Sequence, residues 1–125
     1  GFVAALLAAR AGAAFQAAPQ TSNPVPYTKE SIARGKAWFA QNCPLCHGDD
    51  GKAQGSAIAV AADLTAPSLW KYGTADAQIF ASIRNGAGDN MPAFAGDLKD
   101  QQIWEIVNFI RSIGPEDKRP KGQLN

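Results

Sequence analysis

The chain has 125 residues, of which 46% are hydrophobic and 18% are charged, so its composition is that of one globular domain with an apolar core. The formal net charge is +1 at pH 7, which excludes the strongly basic balance typical of nucleic-acid-binding domains. The two cysteines and the single histidine lie within five residues of one another, and this cluster is the first indication of function.

The N-terminal region consists of an apolar segment and a proline-rich linker. Residues 1–18 are Ala-rich and carry a single charge, Arg10. They resemble the end of a secretory signal, part of a membrane anchor or a helix that packs on a partner, although about 20 apolar residues are needed to span a membrane. We expect an anchor or a partner-binding helix rather than a simple extension. Residues 19–27 contain three prolines, which predicts an extended linker, so the folded domain should begin at residue 28.

Three helices are predicted in the rest of the chain. The first covers residues 28–42, with Thr28 as its N-cap. The second covers residues 75–85 and is capped by Thr74, and the third covers residues 99–113. The third helix has a broad apolar stripe, formed by Ile103, Ile106, Val107, Ile110 and Ile113. No strand alternation is visible, so an all-α fold is expected.

Two long loops separate these helices. Residues 48–73 are punctuated by glycines and a proline, and a structureless loop of this length is unusual unless it wraps a large object such as a macrocycle. Residues 86–96 form a second Gly-rich loop, which contains the only methionine, Met91. Residues 115–125 are a charged tail beyond the last helix.

Residues 43–47 read Cys-Pro-Leu-Cys-His, the spacing of a c-type haem attachment motif. Cysteines three residues apart on a helical turn point the same way, so both thiols can add to the two vinyl groups along one edge of a haem. His47 then lies close enough to bind the iron. The motif predicts one haem c, covalently attached through Cys43 and Cys46 and ligated by His47.

Other uses of this cluster fit less well. A structural zinc site needs four ligands, and the cluster offers three. A thioredoxin-like redox motif needs a βαβ context, and no strands are predicted. A disulfide between Cys43 and Cys46 would leave His47 unexplained.

Met91 is the candidate for the second axial ligand. Because His47 is the only histidine, two histidines of one chain cannot ligate the iron. Met91 lies between Asn90 and Pro92 in the Gly-rich loop, whereas a methionine that only fills the core is expected more often on a helix or strand. A thioether ligand raises the reduction potential and fills the sixth coordination position, which favours outer-sphere one-electron transfer.

These motifs resemble the class I c-type cytochromes, the bacterial monohaem type. The resemblance covers residues 28–114, and its three motifs are Gly35-x-x-x-Phe39-x-x-x-Cys43-x-x-Cys46-His47-Gly48, Asn90-Met91-Pro92 and Ile103-Trp104-x-x-Val107-x-Phe109-Ile110. It implies the cytochrome c fold, in which three to four helices wrap one covalently bound haem. It also implies that the N- and C-terminal helices cross at Gly35, with Phe39 near Ile106 and Phe109.

The resemblance also implies roles in the loop after the haem motif. In the family, the carbonyl of a proline accepts the proton on the far nitrogen of the ligand histidine, and Pro67 resembles that proline. Such a bond fixes the orientation and tautomer of the imidazole. Trp70 and Tyr72 are candidates to donate a hydrogen bond to a haem propionate, or else to pack.

The expected function is one-electron transfer between a redox donor and an acceptor. The domain is expected to be an electron carrier rather than an enzyme, on the periplasmic side of a bacterial membrane, because haem c is attached outside the cytoplasm. Residues 1–27 resemble the tethers of membrane-attached cytochrome subunits, which favours a subunit or tethered partner of a membrane redox complex. A freely diffusing periplasmic shuttle is the alternative, and an enzyme or sensor with an open haem is a third hypothesis.

Overall fold

The structure is a computed structural model that describes residues 21–54, 60–122 and 124. Its four α-helices are α1 (Lys29–Asn42), α2 (Pro44–His47), α3 (Asp76–Asn85) and α4 (Asp100–Ile113), and two 3-10 turns lie at Pro67–Leu69 and Glu116–Lys118. No β-strand forms in the described residues. The predicted all-α fold is confirmed. Residues 1–18, the predicted anchor or partner-binding helix, lie outside the residues that the structure describes. Among the described residues, no helix is long and apolar enough to cross a membrane.

Helix α1 begins after Thr28, the predicted N-cap, and Thr28 forms a capping box with Ser31. The Thr28 side chain accepts a hydrogen bond from the Ser31 backbone N–H at 3.1 Å, and the Ser31 hydroxyl accepts one from the Thr28 N–H at 3.1 Å. Two N–H groups that lack partners within the helix are satisfied in this way.

The starts of α3 and α4 do not use serine or threonine caps. Thr74 was predicted to cap α3, but the helix begins after Ala75, whose N–H donates to the Gln78 side chain at 3.1 Å. The start of α4 is similar, because the Lys99 N–H donates to the side chain of Gln102 at 2.8 Å. In both helices a glutamine in the first turn reaches back to satisfy the N–H group before the helix.

Helices α1 and α4 cross at Gly35, in agreement with the expected cytochrome c architecture. A Cβ atom on Gly35 would collide with the backbone carbonyl of Glu105 in α4. One turn further along α1, the rings of Phe39 and Phe109 pack with their centroids 5.0 Å apart. The crossing brings the end of α1, and the cysteine motif that follows it, against the core.

The core lies between α4, α3 and the loop after α3. Its buried members are Ile79, Ile83, Leu98, Ile103, Trp104, Ile106, Val107 and Ile110. The ring of Phe80 stacks on Trp104 with centroids 4.0 Å apart. Met91, Phe94, Leu64 and Trp70 are partly buried against this cluster, so both long loops are attached to the core.

The second half of the predicted linker lies against α4. The amide nitrogen of Asn23 donates to the Trp104 carbonyl and to the Asn108 side chain, both at 2.9 Å. Asn108 is buried, and its own amide donates to the carbonyls of Val25 at 3.2 Å and Pro26 at 3.1 Å. The folded domain therefore includes residues 23–27, before the predicted start at residue 28.

Candidate functional site

The cysteine motif lies on a single helical turn at the end of α1. Cys43 caps α1, and its carbonyl accepts hydrogen bonds from Cys46 N–H at 3.3 Å and His47 N–H at 3.0 Å. Pro44 occupies the first position of α2, where a missing N–H costs nothing. Leu45, between the cysteines, is 78% exposed. The turn therefore places two thiols and one imidazole next to each other.

Both thiols are free and half-buried. Burial raises the pKa of the Cys43 thiol to about 12, and the neighbouring Cys46 adds to the rise. At neutral pH, Cys43 is therefore a protonated thiol, with little of the thiolate character that drives oxidation.

The orientation of His47 is fixed by a backbone carbonyl. Its Nδ1 lies 2.9 Å from the carbonyl oxygen of Ala62. A carbonyl oxygen only accepts hydrogen bonds, so Nδ1 carries the proton and the lone pair of Nε2 is free to bind a metal. The arrangement is that of a metal-binding histidine whose second nitrogen is held by the protein.

Pro67 was expected to provide this acceptor, and this expectation is wrong. The carbonyl of Pro67 instead accepts from the Trp70 N–H at 3.1 Å and closes the 3-10 turn Pro67–Leu69. Ala62 is the acceptor because Leu64 is held close to the haem motif: its N–H donates to the Gly51 carbonyl at 2.7 Å. This hydrogen bond brings the segment before Leu64, which includes Ala62, next to His47.

Trp70 was a candidate for donating to a propionate. Its indole N–H instead donates to the Asp63 carbonyl at 2.7 Å, and its ring is partly buried against the core. The structure therefore assigns Trp70 to holding the backbone next to Ala62, and no donor on this side chain is left for a propionate.

Met91 lies in a closed turn after α3. Its carbonyl accepts from the Ala87 N–H at 3.1 Å, and its N–H donates to the Ala87 carbonyl at 3.3 Å. Further along, the Phe94 N–H donates to the Ile83 carbonyl at 3.0 Å and attaches the loop to the end of α3. The Met91 side chain is partly buried against the core. Its role as a ligand stays a prediction.

The donor set fits a covalently bound haem. Two free thiols share one helical turn, and the adjacent imidazole has its Nε2 lone pair available. A structural zinc site would need a fourth ligand and a redox disulfide motif would not need the histidine, whereas haem c uses all three groups.

Comparison with known families identifies the domain. The sequence model of the cbb3-type cytochrome c oxidase subunit III family matches residues 30–110. The chain belongs to this family. Membership of a cytochrome c family implies haem c, and the predicted class of protein is confirmed.

Named relatives support the assignment of this cytochrome domain. A cbb3-type cytochrome c oxidase subunit FixP from Bradyrhizobium sp. (strain ORS 278) is 37% identical over 82 residues, which cover 66% of this chain and 27% of the relative. A subunit CcoP from Azospirillum sp. (strain B510) is 33% identical over 87 residues, covering 66% and 29%. The chain thus spans between a quarter and a third of the length of these relatives.

Two solved structures that are similar to this domain are also named as cytochromes. Cytochrome CL from the marine methylotrophic bacterium Methylophaga aminisulfidivorans MPT matches with a TM-score of 0.61 and 26% identity, covering 72% of this chain and 59% of that one. Cytochrome c6 from the diatom Phaeodactylum tricornutum matches with a TM-score of 0.52 and 25% identity, covering 63% and 88%. The expected cytochrome c fold is confirmed.

Proposed function

We propose that this domain is a one-electron carrier with a single haem c, attached through Cys43 and Cys46 and ligated axially by His47 and Met91. A haem bound in this way supplies a reversible one-electron couple. The domain works as a subunit of a membrane-bound oxidase of the cbb3 type. It lies on the periplasmic side of the membrane. The domain itself carries electrons and the chemistry on oxygen belongs to the rest of the complex.

The hydrogen bond from His47 Nδ1 to the Ala62 carbonyl carries this proposal. It leaves Nε2 as the only imidazole nitrogen that can bind iron and fixes the orientation of the ring. The segment that provides the acceptor is itself fixed, since Trp70 donates to Asp63 and Leu64 pairs with Gly51. A pre-set ligand changes position little between redox states, which suits electron transfer.

Met91 supports a carrier over an open-site enzyme or sensor. Its loop is attached at both ends, by the pair with Ala87 and by the bond from Phe94 to the end of α3. A thioether held in this way favours reduced iron and leaves no position free for an external ligand.

Membership of a complex is supported by the relatives, which are named as subunits of cbb3-type cytochrome c oxidases. The alternative is a freely diffusing shuttle. The two differ in what residues 1–22 do, because a tethered domain needs this segment and a shuttle does not.

The haem and its ligands are tested on the protein produced in a host that attaches haem c. The alkaline pyridine haemochrome spectrum is expected to show two thioether bonds and one haem per chain. Cys46→Ala should shift the spectrum to that of one thioether bond. The reduced wild-type protein should bind carbon monoxide poorly at neutral pH, and Met91→Ala should bind it readily. A wild-type protein that binds carbon monoxide as readily as Met91→Ala would contradict Met91 ligation and favour the open-site hypothesis.

The tether is tested by deleting residues 1–22 in the native host. This end point keeps Asn23, whose amide donates hydrogen bonds to α4. Loss of association with the complex is therefore separated from loss of folding. The truncated cytochrome is expected to leave the membrane fraction and the complex while keeping its haem spectrum. If it stays with the complex as the full chain does, these residues are not the tether.

A further inference from the structure

The tip of the Met91 loop is exposed. Gly88, Asp89 and Asn90 are exposed, and the loop is closed by the pair of hydrogen bonds between Ala87 and Met91. A short exposed turn of this kind opens easily unless another segment covers it, because its hydrogen bonds are accessible to water.

Tyr72 lies against one residue of this tip, Gly88. If Gly88 carried a Cβ atom, its three nearest neighbours would all belong to Tyr72, and it would collide with the hydroxyl end of the ring. Gly88 has φ of 58°, a conformation that favours glycine, so the backbone disfavours a side chain at this position, and a Cβ atom would also displace the hydroxyl end of Tyr72. The two residues are separated by α3 in the chain.

Tyr72 is itself held in place. It is half-exposed, and the Lys71 ammonium lies 5.9 Å from the centroid of its ring. Two residues before it, the indole of Trp70 packs on the core and donates to Asp63. The loop of residues 60–73 therefore reaches both predicted axial ligands, His47 through the Ala62 carbonyl and the Met91 loop through Tyr72.

We propose that Tyr72 is a positioning residue for the sixth ligand, whose ring clamps the Met91 loop at Gly88 and sets how often Met91 leaves the haem iron. The proposal rests on the proposed ligation by Met91. It assigns to Tyr72 a contact with the loop in place of a bond to a propionate. The hydroxyl end of the ring makes the contact, with the ring carbons next to it lying farther from Gly88.

The test compares Tyr72→Ala and Tyr72→Phe in the haem-loaded protein, with Leu69→Ala as the matched control. Leu69 lies in the same loop and is 79% exposed. One readout is the far-red absorption band that a methionine sulfur bound to ferric haem produces. The second is the rate of carbon monoxide binding to the reduced protein, which reports the fraction of molecules without Met91 on the iron.

Tyr72→Ala is expected to raise this rate by about tenfold, the change in population that corresponds to about 1.4 kcal/mol, and to weaken the far-red band. Tyr72→Phe should raise the rate less than Tyr72→Ala, because it removes only the hydroxyl group and keeps the ring. Leu69→Ala should stay close to the wild type. Gly88→Ala should also raise the rate, and the double variant Gly88→Ala/Tyr72→Ala should fall short of the product of the two single effects, because part of the Gly88→Ala effect comes from displacing Tyr72.

Two failures are distinguishable. A wild-type protein without the far-red band would overturn the proposed ligation by Met91. A wild-type protein with the band, in which Tyr72→Ala behaves like Leu69→Ala, would overturn the role of Tyr72 and leave the ligation intact.

Discussion

Gly35 in α1 lies so close to Glu105 in α4 that a Cβ atom on residue 35 would overlap the backbone carbonyl of Glu105. The two helices can approach this closely only because residue 35 has no side chain. We therefore expect Gly35→Ala to destabilise the protein by about 3 kcal/mol, the upper part of the usual range for overpacking, since the obstacle is rigid backbone. The free energy of unfolding, measured by denaturant titration of the haem-loaded protein, checks this.

Gly96 provides the control for this substitution. A Cβ atom on Gly96 would meet no atom within 4 Å. Gly96→Ala should therefore change the unfolding free energy by less than about 0.5 kcal/mol. Similar values for the two variants would show that the crossing tolerates a methyl group and that the helices do not depend on the contact at Gly35.

Glu105 is a buried carboxylate at the same crossing, and its charge is expected to be needed. It accepts hydrogen bonds from Arg34 Nε at 3.0 Å and Trp38 Nε1 at 2.9 Å, and Gln101 donates to it at 3.3 Å. In Glu105→Gln, the new NH₂ group must face one of these donors, so one bond is lost and a donor is left unpaired. We expect a loss of about 2 kcal/mol in the free energy of unfolding.

Glu116→Gln is the matched control, because Glu116 is exposed in the charged tail and the same atoms are exchanged. It should leave stability within about 0.5 kcal/mol of the wild type. The prediction for Glu105 is contradicted if the two variants unfold at the same denaturant concentration.

Tyr27 makes stability depend on pH in the alkaline range. It is buried, and burial raises its pKa above the ordinary value of 10.0, although the nearby Arg119 acts in the opposite direction. Above this value the unfolded chain loses the phenol proton before the folded protein does, so fewer protons are bound in the unfolded state and the free energy of unfolding falls as pH rises. Below pH 10.0 both states keep the phenol proton, so the contribution of Tyr27 to the free energy of unfolding is fully present.

The comparison is with Tyr27→Phe, which cannot titrate at this position. The difference in unfolding free energy between the two proteins should be constant at neutral and mildly alkaline pH. Above pH 10 the wild type should lose stability faster than the variant. Parallel pH profiles throughout this range would show that Tyr27 does not couple ionisation to folding.

Much of the fold follows from local sequence signals. The N-cap at Thr28 and the apolar stripe of α4 predicted two helices within a residue of their ends. The resemblance to the class I c-type cytochromes, carried by the motif with Gly35, Phe39 and the cysteines, placed the crossing correctly. A glycine is needed there because a Cβ atom would overlap the backbone of α4.

The parts that sequence did not predict depend on contacts between distant segments. The acceptor for His47 is a backbone carbonyl, which any residue provides, so no side chain distinguishes Ala62 from Pro67. The start of α3 is determined partly by Arg111, which donates to Asp76 at 2.8 Å and to the Thr74 carbonyl from the far end of α4. Thr74 therefore has a tertiary role that its helix-capping propensity does not show.

Asn108 is the clearest case of a distant contact, and it leads to a prediction about the N-terminal segment. Its buried amide nitrogen donates to the carbonyls of Val25 and Pro26 and to the Ser31 hydroxyl, and its oxygen accepts from Asn23. Asn108→Ala removes all of these bonds and leaves two carbonyls without this donor. We expect a cost of about 1–3 kcal/mol and release of residues 23–27 from α4.

Hydrogen exchange at the Val25 amide reports this release, because in the folded protein this N–H donates to the Asn23 side chain at 2.9 Å. Exchange should accelerate in Asn108→Ala and remain slow in Asn85→Ala, an alanine substitution of an exposed asparagine at the end of α3. The variants Asn23→Ala and Asn108→Ala should also be less than additive, since they share one hydrogen bond. A tethered cytochrome with this segment released would be attached through a longer flexible connection, so the same substitution should slow electron delivery to the complex without changing the haem spectrum. Unchanged exchange at Val25 would mean that the segment is held by other contacts and that Asn108 only supports α4.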